Sequence, residues 1–240
     1  ELREKVWSLL EERDVARFPR PVRGKIPNFT GAEEAARRII GTDEFGRAEV
    51  VKVNPDSPQL EVRIGVLEAG KILIMPSPRL RAGFLVLDPA RIPKRLHRTA
   101  ATIKGSFQHA AETPIEDLPF VDLLVCGSVA VTEKGVRIGK GGGYSELEYA
   151  ILRELKLVDE ETPIMTTVHD LQIVEDAPME DHDFTVDVIA TPKRLMATRG
   201  PRHRPRGIIR DKLSERQLDE IPILRNLKRM AGLSEHKEES

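Results

Sequence analysis

The chain reads as an α/β protein, a mostly parallel sheet with helices on both faces, and three observations predict this. Strand-like and helix-like apolar patterns alternate through most of the 240 residues. Such alternation places strands side by side and helices over them. A glycine-rich turn, residues 139 to 143, stands between a strand pattern and a helix pattern, where α/β proteins hold anions. Hydrophobic residues make up 40% of the chain, enough for a core, yet no apolar run approaches the roughly 18 residues of a membrane span.

The elements follow in order. Glu1 to Asp14 forms an amphipathic helix with Leu2, Val6, Leu9 and Leu10 on its apolar side. Residues 18 to 27 carry three prolines and are extended, because proline removes a donor and disfavours helix before it. Gly31 to Ile40 returns to helix. Then come a strand at Ala48–Val53, a helix at Gln59–Ala69, and a strand at Lys71–Met75 after the Gly70 stop. Phe84–Leu87 is a strand and Lys94 to Ala101 a helix. Asp122–Cys126 and Ser128–Thr132 read as buried strands, with a turn at residues 133 to 135. A helix at Ser145–Leu157, a strand at Pro163–Val168 and a last sheet strand at Thr185–Ala190 complete the pattern. Residues 1–198 are thus expected to form one nucleotide-binding domain. Residues 199–240 follow as an appended basic segment, with a helix from Ser214 to Met230 and a frayed end at Ser234–Ser240.

The chemistry concentrates in Arg137-Ile-Gly-Lys-Gly-Gly-Gly-Tyr-Ser-Glu146. Glycines 139, 141, 142 and 143 let backbone amides turn inward and approach a ligand without a Cβ in the way. Amides in such a nest, with the positive end of the following helix, suit a phosphate chain. Arg137 and Lys140 add full charges. The run lacks the Gly-Lys-Ser/Thr close of a P-loop and the placement of a dinucleotide fingerprint.

Elsewhere the signals are structural. Lysine plus arginine (38) balances aspartate plus glutamate (39), so the chain is no polycation, and nucleic acid is not an expected partner. The basic run Arg199, Arg202, Arg204, Arg206 and Arg210 is read as solvated or carboxylate-paired, or as part of a homo-oligomer interface. Cys126, the only cysteine, is read as a buried apolar residue. His169 and His182 are read as hydrogen-bonded loop residues rather than metal ligands. With no membrane span and no signal-peptide pattern, a soluble cytoplasmic protein is expected.

Taken together, these motifs resemble the 5-formyltetrahydrofolate cyclo-ligase (methenyltetrahydrofolate synthetase) family. Its Arg-Leu-Gly-x-Gly-x-Gly-Tyr-Tyr-Asp pattern is matched by Arg137 to Glu146, after the strand Asp122-Leu-Leu-Val-Cys-Gly-Ser-Val-Ala-Val131. A second family segment is matched by His182-Asp-Phe-Thr-Val-Asp187 through Thr191, and a weaker one by Gly70-Lys-Ile-Leu-Ile-Met-Pro76. Phe18-Pro-Arg-Pro21, Ile26-Pro-Asn-Phe29 and Asp181-His-Asp183 resemble the divergent methenyltetrahydrofolate synthetase domain-containing branch.

The resemblance implies a Rossmann-like sheet of the NagB/RpiA/CoA-transferase type. It implies ATP- and Mg2+-dependent conversion of 5-formyltetrahydrofolate, a reduced pterin, to 5,10-methenyltetrahydrofolate. It assigns Arg137 to ATP and Gly139, Gly141 and Gly143 to the ATP phosphates; on the reading of the residues themselves Lys140 joins Arg137 in catalysis and Gly142 joins the phosphate-binding glycines. Tyr144 and Ser145 fall to the second substrate, and Glu146 and Asp183 to magnesium. Ser145 stands where the family has a tyrosine, and Gly142 where many members have lysine. Arg3 is the candidate for the family's helix-one cations, and Asp56 lies near the position of a substrate-contacting glutamate. The alternative reading is a non-catalytic nucleotide- or RNA-binding regulatory protein on the same fold.

Overall fold

The computed structural model describes residues 1–227. Two short strands, Ala16–Arg17 (β1) and Asn28–Phe29 (β2), pair antiparallel beside the first helix, Leu2–Glu12 (α1). Helices Ala32–Ile40 (α2) and Asp43–Arg47 (α3) lead to Val50–Val53 (β3), and Leu60–Glu68 (α4) connects this to Ile72–Pro76 (β4). Phe84–Leu87 (β5), His97–Ala100 (α5), Ile103–His109 (α6) and Leu123–Gly127 (β6) follow. The chain then makes Ala130–Thr132 (β7), Arg137–Ile138 (β8), Tyr144–Glu154 (α7), Ile164–Thr167 (β9) and Ile173–Val174 (β10). It ends with Val188–Ala190 (β11), Leu195–Ala197 (β12) and Glu215–Glu220 (α8).

Seven strands form the central sheet in the order β12-β11-β9-β6-β3-β4-β5. β11, β9, β6, β3 and β4 are parallel, and β12 and β5 close the two edges antiparallel. Side chains alternate across the sheet with the two-residue period of a strand. Val51, Val53, Leu73, Met75, Leu123 and Val125 face α2 and α4. Val50, Ile74, Leu124 and Cys126 face α7. Both faces are therefore covered by helices, as the alternation predicts. A second sheet, β10-β7-β8, packs with α1 through Val6, Trp7, Leu10, Val129, Ala130 and Ile138.

The structure departs from the sequence reading at several elements. Ser128–Thr132 does not join the main sheet: β7 pairs with β8 and β10 instead. Thr185–Ala190 is not the last strand, because β12 follows it at the edge. That strand is also shortened at its start, since Thr185 bonds to His203 and Val186 to Gly135 rather than to a neighbouring strand. The helix expected from Ser214 to Met230 breaks at Ile221, which is extended at φ −106° and ψ 102°. Pro222 imposes this, because a proline ring disfavours helix in the residue before it. Helix resumes at residues 222–227. The remainder of that expected helix and the frayed end at 234–240 lie outside the described residues.

Asp187 is a main anchor of the segment after residue 199, beside backbone bonds between Thr185 and His203. Asp187 Oδ2 accepts from the Ile164 amide at 2.8 Å and from Arg204 Nη2 at 2.6 Å, and its Oδ1 accepts from Arg202 Nε at 2.9 Å. Arg202 also meets Glu161 at 3.1 Å. These two members of the basic run are thus occupied by carboxylates. Ile221, Ile223 and Leu224 enter the core on the α7 side.

Asp187→Ala should cost roughly 3 kcal/mol in urea unfolding followed by Trp7 fluorescence, because it leaves the Arg204 guanidinium buried without its counter-charge. A loss below about 1 kcal/mol, the value of an exposed pair, would show that the clasp is not holding the segment.

Candidate functional site

The carboxyl ends of β3 and β4 open onto a cleft of about 590 Å3. Its walls are Asn54, Pro55, Asp56 and Ser57 after β3, Ser77 to Arg79 after β4, and residues 139 to 146 after β8. Pro19 and Lys25 to Ile26 from the proline-rich segment, with Ile103 of α6, complete it. A cleft of this size at strand ends is the usual ligand position in an open parallel sheet.

The glycine loop is bent by two residues in the left-handed region, Gly141 at φ +102° and Gly143 at φ +66°. Side-chain-bearing residues rarely adopt these angles. Gly143 caps α7 with no side-chain acceptor for the first-turn amides, and open space surrounds its Cα. Arg3 Nε donates to Gly139 O at 2.7 Å, so α1 holds the loop from behind. Lys140 Nζ stands 3.1 Å from Asp56 Oδ1 across the cleft.

Beneath the surface three cations are buried. Arg137 donates to Gly127 O at 2.9 Å and pairs with Glu146 on the first turn of α7. Burial alone would raise the Glu146 carboxyl, but the charge and hydrogen bond of Arg137 hold it below its ordinary value. Lys52 Nζ lies 2.5 Å from Glu148 Oε2, and burial there outweighs the lysine and pushes the Glu148 carboxyl up. Arg63 donates to the carbonyls of Asn54 at 2.6 Å, Asp56 at 2.9 Å and Ala101 at 2.7 Å. Burial pushes its guanidinium down to about 10, against the attraction of Asp56.

Of the residues singled out in the sequence, Arg137, Gly139, Lys140, Gly141, Gly142, Gly143, Tyr144, Ser145 and Glu146 all line the cleft. Asp183 does not. Its Oδ2 accepts from the Glu180 amide at 2.7 Å, and its Oδ1 is 3.7 Å from His182 Nε2. Burial raises its carboxyl, and the like charge of Glu146 adds to the rise. His182 and Glu146 share a smaller cavity of about 110 Å3 on the far side of the α7 terminus, walled by Lys212 and Gln217. His169 Nδ1 accepts from the Leu171 amide and caps a turn.

Sequence reasoning passed over Lys52, Asn54, Arg63, Arg79 and Glu148. A lone lysine inside Val50-Val-Lys-Val53 was the available signal, because a charge facing the interior of a strand demands a partner. Arg79 reaches the cleft from a turn with φ +54°, which no residue pattern announces.

The loop fits a phosphate chain: bent glycines, an uncapped helix start and a lysine at the rim. For magnesium the fit is narrower. Asp56, Glu146 and Glu148 each already face a cation, and the described residues contain no group of three His, Cys, Asp or Glu side chains arranged to hold a metal. That suits an ion that arrives on phosphate oxygens and keeps its waters, for which one or two protein carboxylates suffice.

Sheet and cleft together define an α/β protein with an open cleft at the carboxyl ends of parallel strands. The sequence model of the 5-formyltetrahydrofolate cyclo-ligase family matches residues 1–192, and the chain belongs to that family. Over 231 residues it is 45% identical to a mouse (Mus musculus) methenyltetrahydrofolate synthase domain-containing protein, covering 95% of this chain and 62% of the relative. The human (Homo sapiens) protein of the same description is 44% identical over 232 residues, 95% of this chain and 61% of the relative. The chain thus spans about three fifths of the length of these curated relatives. The NMR structure of Aquifex aeolicus 5,10-methenyltetrahydrofolate synthetase superposes with a TM-score of 0.52 at 21% identity, over 84% of this chain and 93% of that one. This likeness shows a shared fold. Among the described residues no helix is long and apolar enough to cross a membrane.

Glu146 gives a pH prediction. A carboxyl held below its unfolded value of 4.5 contributes stability above that pH and loses it as pH falls through the folded value. The stability advantage of the wild type over Glu146→Gln should therefore be full at neutral pH and shrink below about pH 4.5. An advantage that grows on acidification in urea titrations would mean that Arg137 does not hold the carboxylate ionised.

Proposed function

We propose that the chain catalyses the ATP- and magnesium-dependent closure of 5-formyltetrahydrofolate to 5,10-methenyltetrahydrofolate, with release of ADP and phosphate. The formyl oxygen is a poor leaving group. Transfer of the terminal phosphoryl group to it makes ADP and an activated carbon. N10 of the folate then attacks that carbon, the C–O bond breaks, and phosphate leaves, taking up the proton that N10 gives up. The protein's work in such a reaction is positioning and stabilisation of charge on the moving phosphoryl group.

In this reading the amides of residues 139 to 143 and the Lys140 ammonium take phosphate oxygens. Arg137 acts from beneath, fixing Glu146 at the start of α7. Glu146, the one of the two expected carboxylates that lines the cleft, would hold magnesium, which when bound would neutralise charge on the phosphates; Asp183 lies outside the cleft and has no part in this reading. Tyr144 and Ser145 border the second substrate. The observation that carries the reading is the bent glycine loop and uncapped α7 terminus on the wall of the 590 Å3 cleft. Family membership supports it independently. A cytoplasmic location for the reaction belongs to the same proposal.

The test is twofold. ATP with magnesium at 100 times its Kd should add roughly 2.7 kcal/mol of stability, read as a rise in melting temperature. Lys140→Ala should weaken ATP binding by about tenfold. Adding 5-formyltetrahydrofolate should then generate the methenyl product, followed by its absorbance. An unmoved melting temperature in the wild type defeats the nucleotide reading, whereas nucleotide binding without turnover assigns the chain to the non-catalytic alternative.

A further inference from the structure

One polar chain in the cleft ends on Ser145, and three of its members, Lys52, Asn54 and Glu148, have no part in the proposed reaction as written. Lys52 Nζ lies 2.5 Å from Glu148 Oε2 and 2.9 Å from Asn54 Oδ1, and Asn54 Nδ2 lies 3.0 Å from Ser145 Oγ. The Lys52 and Glu148 side chains are only 3% and 7% exposed. A buried ion pair is often no more stabilising than apolar side chains of the same volume, so its use at this position calls for a reason beyond stability.

Hydrogen-bond direction supplies one. An ammonium carries donors and no acceptor, so the oxygen of Asn54 must face Lys52. The amide nitrogen is thereby turned to Ser145 and donates to its Oγ. The serine hydroxyl is left with its own proton to give, and no other side-chain or backbone acceptor among the described residues receives it. Asn54, Ser145 and Glu148 all line the cleft, so that proton is available to whatever fills it.

We propose that Lys52, Glu148 and Asn54 are positioning residues that set Ser145 as a hydrogen-bond donor to an acceptor oxygen, phosphoryl or carbonyl, of the cleft ligand. The inference rests on the cleft being the ligand site and extends that reading. The matched family position carries a tyrosine, whose ring offers a face. A serine offers none, so here a directional bond takes the place of a stacking contact, and a ligand without an oxygen at that point gains nothing from it.

The experiment is calorimetric titration of the full chain with magnesium ATP and, separately, with 5-formyltetrahydrofolate. Ser145→Ala should weaken one of the two by about tenfold, a typical loss for one well-placed hydrogen bond. The ligand affected identifies the oxygen as phosphoryl or carbonyl. Asn54→Asp keeps the shape but cannot donate, so Ser145 must turn its proton to residue 54. The same ligand should then weaken comparably although the hydroxyl is intact, and Ser145→Thr should retain most of the affinity. The new carboxylate also repels phosphate directly, so Asn54→Asp is repeated in the Ser145→Ala background: if the loss runs through the hydroxyl it should largely vanish there, whereas with a merely structural serine it would persist unchanged. If both ligands bind the wild type and neither Ser145→Ala nor Asn54→Asp shifts either affinity by more than twofold, the proposal is overturned. If the wild type binds neither ligand, the first reading has failed, and the network is judged on the unliganded chain by hydrogen exchange. The Asn54 side-chain amide protons should exchange slowly there and faster in Ser145→Ala. Equal rates would overturn it.

Discussion

Three almost fully buried cations, Lys52, Arg63 and Arg137, govern how this cleft is built. An unpaired charge in a protein interior is prohibitively costly, so each fixes the segments that answer it. Lys52 requires Glu148 and Asn54; Arg63 requires the carbonyls of residues 54, 56 and 101; Arg137 requires Glu146 and the carbonyl of Gly127. The loop after β3, the end of β6 and the first turn of α7 are therefore not independent. Displacing any of them strands a buried charge. The walls of the cleft are set in place before a ligand arrives, which is what a site of directional contacts needs.

Above that buried layer the charges are looser. Lys140 and Asp56 meet across the cleft with the lysine side chain 45% exposed, a pair worth little in water and easily exchanged. Buried pairs hold the frame while the rim pair is free to change partners. The glycine loop belongs to both layers, since Arg3 grips its carbonyl from behind while its far side faces the cleft.

Much of this was legible in the residues. The strand patterns at Ala48–Val53 and Asp122–Cys126, alternating with helix patterns, marked a sheet covered on both faces, and the glycines beside Arg137 and Lys140 marked the cleft. The failures have physical causes. β12 and β10 are too short to leave a period in the sequence. Pro222 lies within a helical pattern whose periodicity drew attention from its effect on Ile221. Trp7, rather than Leu9, is buried with Val6 and Leu10, because its indole nitrogen finds the carbonyl of Lys25 at 3.0 Å. Lys52 and Glu148 meet across 96 residues, and nothing local to either one names the other. Motif reasoning finds groups that are close along the chain and misses those that folding brings together.

The strip of Ile221, Ile223 and Leu224 completes the apolar layer over the α7 face of the sheet, although the family match stops at residue 192. The tail is thus part of the roof. A fragment trimmed to the family boundary would bare a greasy furrow to water and would tend to clump, so an inert product of such trimming would say nothing about the chemistry of the intact chain.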